Sequence, residues 1–499
     1  MHLITESRHF PPTLALVAGA LGVFGFAPFY FYPAPILALA VLFWLQIRQP
    51  ERAARLGWMF GFGLFGAGVS WIYVSLHDFG GMPGWMAALA TATFCGFMAL
   101  FPACAGWLSN YFKAPLLLAL PLLWVLLEWV RLWIFTGFPW LAIGYAQVPY
   151  SPLAGLAPVL GVYGVSLAAA VCAAVIAAKL DRRISGKQLG FTLLLFWLAG
   201  SALKHVEWTT PTGSPLSFSL LQGNVAQDLK WQENALQPTL QLYRQMALAS
   251  QAQLIVLPET ALPILPKHLP DDYLTSLAAH AKKLNGNILI GLPERSRDAT
   301  ETRYFNSAWS IGADPQQSYR KFHLVPFGEF IPFKQGLGWI YRDWLHIPLT
   351  DLSPGDKVQQ PLQLSGQKVA VNICYEDAFG EEIIRQLPQA TLLVNLSNDA
   401  WYGDAWFGRA LAAHQHMQLS QTRALETGRM MLRATNTGAT AIIQRDGHVV
   451  KLAPLFTRLS LEGEAQGYAG ATPYVNWGNW PVITLILLAL GLSWVRKKK

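Results

Sequence analysis

A helical membrane domain interrupted by a globular α/β domain is the architecture this sequence predicts, and three observations carry it. Of 499 residues, 53% are hydrophobic and 13% charged, which is too apolar for an ordinary soluble chain. The apolar content is uneven: residues 1–204 and 478–495 hold nearly all the long apolar runs, whereas 205–475 has a mixed, globular composition. Within that middle part, short continuously apolar runs alternate with amphipathic stretches, the pattern of buried strands between helices. The predicted division is 1–204 with seven membrane helices, 205–475 as the α/β domain, and 476–499 as a last membrane helix with a basic tail.

Apolar runs at 13–30, 31–47, 57–76, 85–108, 115–135, 153–178, 188–203 and 478–495 give about eight spans. The second and seventh lie near the lower limit of ~17 residues for crossing a bilayer. Arg48, Arg52 and Arg55 follow the second span, Lys113 the fourth, Lys179, Arg182, Arg183 and Lys187 the sixth, and Arg496 to Lys499 the eighth. The loops 77–84 and 136–151 carry no Lys or Arg. This asymmetry predicts cytoplasmic termini and an extracytoplasmic 205–475 domain. It also accounts for the net charge of +8 without nucleic acid as a partner. The first run lacks a persuasive cleavage site and is followed by further spans, so it reads as a retained helix. In the fifth span Glu128 and Arg131 share a helical face, either as an intrahelical ion pair or as substrate-facing groups. TGFPW at 136–140 supplies a turn, with Trp140 suited to an interfacial or re-entrant loop.

The α/β domain opens after a polar linker at 207–214. FSLLQGN at 217–223 reads as a strand, 234–251 as an amphipathic helix, and LIVLPET at 254–260 as a buried strand ending in Glu259. A helix at 273–285 and strands at 287–292 and 304–311 lead to YRKFHLVPFGEF at 319–330. VAVNICYE at 369–376 is an apolar strand that delivers a lone cysteine, Cys374, followed by Tyr375, Glu376 and Asp377. A helix at 381–386, a strand at 391–396, a helix at 405–423, a strand at 430–434 and a hairpin at 441–452 turning on Asp446-Gly447 complete the domain. Strands this apolar need cover on both faces, helices on one and something else, such as a second sheet, on the other.

Cys95, Cys104 and Cys172 lie inside long apolar segments, so Cys374 has no disulfide partner in its own region. A lone thiol at a strand end is either inert packing or a nucleophile. Two other polar residues at strand ends, Glu259 and Lys321, favour the nucleophile. LPET, YRKFHLVPFGEF and NICYED resemble the three signatures of the nitrilase superfamily, and SNDAW at 397–401 and ATNTGAT at 434–440 match its later core strands. The resemblance implies a four-layer αββα sandwich and a Glu259–Lys321–Cys374 triad. With EWVRLWIFTGFPW at 128–140, the chain resembles one membrane-embedded branch, the apolipoprotein N-acyltransferases of the bacterial cytoplasmic (inner) membrane. That branch implies a phospholipid acyl donor, a diacylglyceryl-modified lipoprotein as acceptor, and a periplasmic catalytic domain. It also implies that Glu329 and Glu376 support Lys321 and Cys374; otherwise they are ordinary N-caps or surface carboxylates. Tyr375 orients the loop, and Trp231, in DLKW, resembles a lid residue that meets lipid.

The chemistry calls for these residue types. A free thiol has a pKa near ~8.5, so acyl transfer needs a base for its proton and a cation favouring thiolate. Glu259 and Lys321 supply them. Attack on an ester carbonyl makes an oxyanion that Lys321 and a backbone N–H near Cys374 stabilise, and Glu259 returns the proton to the leaving alcohol. A neutral amine then converts the thioester to an amide. Ester-to-amide exchange runs downhill, and the sequence shows neither a phosphate-binding glycine loop nor a metal-spaced His/Cys cluster, so no cofactor and no metal are expected.

Two further stretches bear on the lipid. In 331–349, Lys334, Arg342 and Asp343 interleave with Trp339, Tyr341 and Trp344, as expected of an arm dipping into the interface. His414 and His416, two residues apart on a helix, face different ways and read as structural or surface histidines. A membrane-anchored amidase or nitrilase-type C–N hydrolase would use the same triad, but a soluble substrate needs neither eight spans nor an aromatic arm. A non-enzymatic membrane scaffold leaves the intact triad unexplained.

Overall fold

The computed structural model describes residues 10–111, 116–230, 232–297, 301–332, 351–403 and 411–495. Every predicted span falls on a helix: Phe10–Gly22, Pro33–Arg48, Ala53–Gly68, Gly84–Met98 continued by Leu100–Ser109, Leu116–Val130, Ala157–Leu180, Gly186–Lys204 and Trp480–Val495. Among the described residues, Gly84–Ser109 and Pro152–Leu180 are the helices long and apolar enough to cross a membrane by length and composition. A third joins them if Pro50–Gly68 and Ile72–Phe79, bent by 61°, count as one span. Proline and glycine shorten the rest: Pro28 and Pro33 follow the first helix, and Gly137, with φ +91, lies in the turn after the fifth.

The 205–475 region holds two six-stranded sheets. Sheet one runs β12-β1-β2-β3-β4-β5, with β1 Thr210–Gln222, β2 Leu254–Val256, β3 Asn287–Arg297, β4 Thr302–Gly312, β5 Gln317–Arg320 and β12 Leu459–Ala469. Sheet two runs β11-β10-β9-β8-β7-β6, with β6 Leu362–Leu364, β7 Gln367–Ile373, β8 Leu392–Ser397, β9 Met431–Thr435, β10 Ala441–Ile443 and β11 Val449–Leu452. Parallel triplets, β1-β2-β3 and β7-β8-β9, occupy the two centres.

Strand periodicity assigns the faces. Phe218, Leu220, Leu254 and Val256 of sheet one meet Val369, Val371, Ile373, Leu392 and Val394 of sheet two in a shared core. Their alternate neighbours point outward. Ile255, Ile288 and Ile290 pack on Leu240, Tyr243 and Leu277 of the Glu233–Ala249 and Tyr273–Lys283 helices. On the far side, Ala370, Leu393 and Met431 pack with Met417 and Ala424 of the Ala413–Thr427 helix. The layers are helix, sheet, sheet, helix.

Several local expectations change. The polar linker is partly strand, since β1 starts at Thr210 and pairs with Ala469 of β12. Sequence reading omitted β12 because LSLEGEAQGYA mixes Glu462 and Glu464 with glycines, as an edge strand does. The helix expected at 405–423 runs on to Thr427 and ends at Gly428, φ +63; residues 404–410 lie outside the described residues. Trp140 is not interfacial: it is 1% exposed, and its Nε1–H donates to Gln415 Oε1 at 2.7 Å.

Glu128 and Arg131 are not a simple ion pair either. Glu128 accepts from Trp124 Nε1 (2.9 Å), Ile143 N (2.9 Å) and Ser166 Oγ (2.6 Å), while Arg131 donates to the Trp140 carbonyl at 2.6 Å. Together they shape the 137–143 loop. That loop leads to the α/β domain, because Tyr375, Ala378, Phe379, Tyr402 and Leu419 are buried in the same apolar cluster as Phe43, Phe65 and Trp124.

Candidate active site

Glu259, Lys321 and Cys374 sit beyond the ends of β2, β5 and β7. Glu259 is 7% exposed and lies in the turn after β2. The turn passes so close to β3 that a Cβ on Gly291 would come 2.2 Å from the Pro258 carbonyl oxygen and 2.8 Å from Glu259 Cα, so only glycine fits there. Lys321 follows β5; its backbone N–H donates to the Asn306 carbonyl at 2.8 Å, and its ammonium is 2.8 Å from Glu329 Oε2 and 3.4 Å from Glu259 Oε1. The Asn306 amide, on β4, donates to Glu259 Oε1 at 2.8 Å and to Glu329 Oε1 at 2.9 Å. Lysine and asparagine therefore bridge both carboxylates. Burial opposes the Lys321 charge, but Glu329 and then Glu259 outweigh it and hold the pKa above its ordinary value. Lys321 stays an ammonium.

Cys374 occupies a left-handed conformation, φ +53, as β7 turns into a short 3₁₀ segment through Ala378. Cys374 as a whole residue is neither fully buried nor exposed. Burial and then Glu259 push its pKa up, with Lys321 pulling the other way, so it rests as a thiol.

Glu376 ties the lysine segment to the cysteine turn. Buried to 2% exposure, it accepts from Ile373 N (2.7 Å), Phe322 N (2.7 Å), His323 N (3.1 Å) and Tyr319 OH (3.0 Å). Burial lifts its pKa to about 7 against those hydrogen bonds. Neither Glu329 nor Glu376 is an exposed surface carboxylate. Tyr375 turns away from the thiol and donates from its hydroxyl to the Gly137 carbonyl at 3.1 Å, so the residue after the candidate nucleophile is fastened to the helical domain. Tyr145 does the same, donating to the Ala378 carbonyl at 3.2 Å. Trp231 and nearly all of the aromatic stretch, from 333 onward, lie outside the described residues.

Sequence reading missed three groups. Asn306 is a buried polar residue on β4, but Ser307 and Ser310 of the same FNSAWSI run are buried too, so no break in an apolar pattern marks it. Lys230, beside Trp231, is 3% exposed; its ammonium donates to the Glu259 carbonyl at 3.2 Å and to Thr260 Oγ1 at 2.5 Å. Burial lowers its pKa to about 8, with Glu259 and Cys374 opposing. His416, read as structural or surface, is fully buried with Nε2 3.2 Å from the Cys374 carbonyl. Nothing in the helix pattern marks it, because its partners come from Asp377 and Asp399, distant in sequence.

Comparison with known proteins agrees over both parts of the chain. Residues 18–175 match the apolipoprotein N-acyltransferase N-terminal domain, and residues 219–474 match the carbon-nitrogen hydrolase domain. The chain is 53% identical over 484 residues to the apolipoprotein N-acyltransferase of Nitrosomonas europaea, covering 95% of each. It is 44% identical over 494 residues to that of Chromobacterium violaceum, covering 97% of this chain and 94% of the other. For Methylococcus capsulatus the identity is 44% over 497 residues, with 97% and 96% covered. Since this agreement runs through the helical region as well as the sandwich, the chain belongs to the apolipoprotein N-acyltransferase family of the nitrilase superfamily.

Proposed function

We propose that this chain moves a fatty acyl group from a membrane phospholipid to the α-amino group of a diacylglyceryl-cysteine at the N-terminus of an apolipoprotein, through a thioester on Cys374. One observation supports this over hydrolysis of a soluble C–N substrate: the turn bearing Cys374 is packed into the apolar helical core, with Tyr375 donating to Gly137. A soluble substrate needs no such anchorage.

In the first half-reaction Glu259 takes the thiol proton as Sγ attacks the ester carbonyl. Lys321 and a backbone N–H beside Cys374 stabilise the oxyanion. The thiol rests protonated, so Glu259 acts during attack rather than before it. Collapse expels the lysophospholipid alcohol, which recovers the proton from Glu259. In the second half-reaction Glu259 deprotonates the incoming amine, the amide forms, and the thiol is restored. Glu329 and Asn306 keep Lys321 and Glu259 in register, and Glu376 links their segment to the nucleophile. Trp231 serves as the lid that meets lipid.

The eight helices of 10–204 and 480–495 cross the bacterial inner membrane, with both termini cytoplasmic and the 205–475 domain periplasmic. The placement of Arg and Lys in alternate loops supports this orientation. Intact-protein mass spectrometry after incubation with phospholipid alone tests the chemistry. A fatty-acyl increment on wild type, absent from Cys374→Ala and Glu259→Ala and discharged by a diacylglyceryl peptide with a free amine, is expected. Discharge by water as fast as by the peptide would make the enzyme a hydrolase.

A further inference from the structure

The mechanism leaves unexplained four charged side chains buried directly behind the nucleophile. His416 lies with Nδ1 2.8 Å from Asp399 Oδ1, and with Nε2 3.0 Å from Asp377 Oδ1 and 3.2 Å from the Cys374 carbonyl oxygen. Arg433, on β9, spans the same carboxylates: Nη1 is 2.9 Å from Asp377 Oδ2 and Nη2 is 3.1 Å from Asp399 Oδ1. Nη2 also lies 2.8 Å from His416 Nδ1 and is aimed to donate to it, a contact that opposes a proton on Nδ1 while the Asp399 contact favours one. Tyr402 OH is 3.3 Å from Nδ1, and Ser420 donates to Asp377. From the helical domain, the Trp140 ring packs 5.7 Å from the imidazole.

Two carboxylates and one guanidinium leave a buried negative charge, which is strongly disfavoured. An imidazolium closes the balance and gives both ring N–H groups an acceptor. The pKa agrees in direction: burial and Arg433 lower it, and Asp377 and Asp399 more than offset them, raising it to about 9. Space is exact on the other side too, since a Cβ on Gly438 would come 2.1 Å from Asp399 Oδ2.

A non-glycine residue holds φ near +53 only where its surroundings determine it. For Cys374 the handle is its own carbonyl, which accepts from Asn395 Nδ2 and from His416 Nε2, each at 3.2 Å. We propose that His416 is a positioning residue for the nucleophile: held as a cation between Asp377 and Asp399, it grips the Cys374 carbonyl and maintains the left-handed turn that presents Sγ to Glu259 and Lys321. This role rests on the reading of Cys374 as the nucleophile.

The test uses the full-length enzyme in lipid nanodiscs. Asp399→Asn is combined with His416→Gln or with His416→Asn, so that each pair leaves Asp377 and Arg433 balanced in charge. Glutamine places an N–H where Nε2 was; asparagine is shorter and cannot reach the Cys374 carbonyl. The rate of acyl mass gain on Cys374 should be at least ~10-fold higher in the glutamine pair than in the asparagine pair, with melting temperatures and the half-saturating phospholipid concentration alike. Equal rates in the two folded pairs would overturn the proposal. If neither pair folds, pH-dependent deuterium exchange at the His416 ring carbon of wild type decides. A midpoint near ~9 supports the clamp, and one near the unperturbed ~6.5 overturns it. Wild type that gains no acyl mass on Cys374 would instead remove the nucleophile reading, whatever His416 does.

Discussion

The two halves of the site are built differently. The half contributed by sheet one, Glu259, Asn306, Lys321 and Glu329, is a dense set of carboxylates bridged by one ammonium and one amide. The half contributed by sheet two, the Cys374 turn, carries its charges behind the nucleophile and is bonded to the helical domain through Tyr375 and Tyr145. On the proposed mechanism proton handling is thus kept apart from placement at the lipid, and Glu376, bonded to both segments, is the joint between them. Changes in the first half should affect chemistry first, and changes in the second should affect geometry and stability.

Cys374→Ala is the most severe break: acyl-enzyme formation and turnover fall by at least ~10³-fold while the melting temperature stays close to wild type, read by intact mass and a gel-shift acylation assay. Lys321→Met damages both properties, because Glu259 and Glu329 lose their shared cation. Unfolding free energy should drop by about 3–5 kcal/mol along with activity, seen as a lower midpoint in detergent-solubilised melts. Asn306→Leu removes charge-assisted hydrogen bonds worth about 1.5–3 kcal/mol from the same pair, so a loss of roughly 10- to 100-fold in kcat is expected with phospholipid KM little changed. If Asn306→Leu leaves kcat intact, the first half is sturdier than its hydrogen bonds indicate.

Tyr375→Phe probes the other half. It deletes one bond to Gly137 and should lower stability by about 1 kcal/mol, with single-turnover acylation slowed less than ~10-fold. Glu376 gives the smallest and most diagnostic effect. Its folded pKa, about 7, lies above the ordinary carboxylate value, so the folded state binds the proton more tightly than the unfolded chain. Its contribution is fully present at low pH and is lost as pH rises toward 7. Melting temperature against pH should therefore fall over that window in wild type and flatten in Glu376→Gln.

How much of this the sequence disclosed follows from the range of each interaction. The strand-end positions of Glu259 and Cys374 were legible because each follows an apolar run of a few residues, whereas Lys321 follows the polar strand QSYR and was picked out only by the resemblance of YRKFHLVPFGEF to a known signature. That the sheet is covered on both faces was legible in the same way, from Val369, Val371 and Ile373 on one face and Ala370 on the other, whereas the second sheet itself was expected only from the family resemblance. β12 was not legible, because an edge strand carrying Glu462 and Glu464 does not alternate like a half-buried one. Trp140 misled, since an aromatic beside a proline in an apolar region looks interfacial until Gln415, far along the chain, supplies its acceptor. His416 was hidden most completely: its carboxylates arrive from the Cys374 turn and from the end of β8, and no spacing on its own helix reports them.

The pairing of β1 with β12 also sets a timetable for making the molecule. The first strand of the sandwich leaves the ribosome soon after the 186–204 helix, yet its outer neighbour, 459–469, follows every other described strand of both sheets. Until then β1 presents an unsatisfied ladder edge, the kind of surface that recruits stray strands. A nascent chain halted anywhere between the two has its proposed base, cation and nucleophile already made but its first sheet still open. The first sheet is therefore closed only by 459–469, and termination before that strand should yield a protein that is cleared rather than one that is partly active.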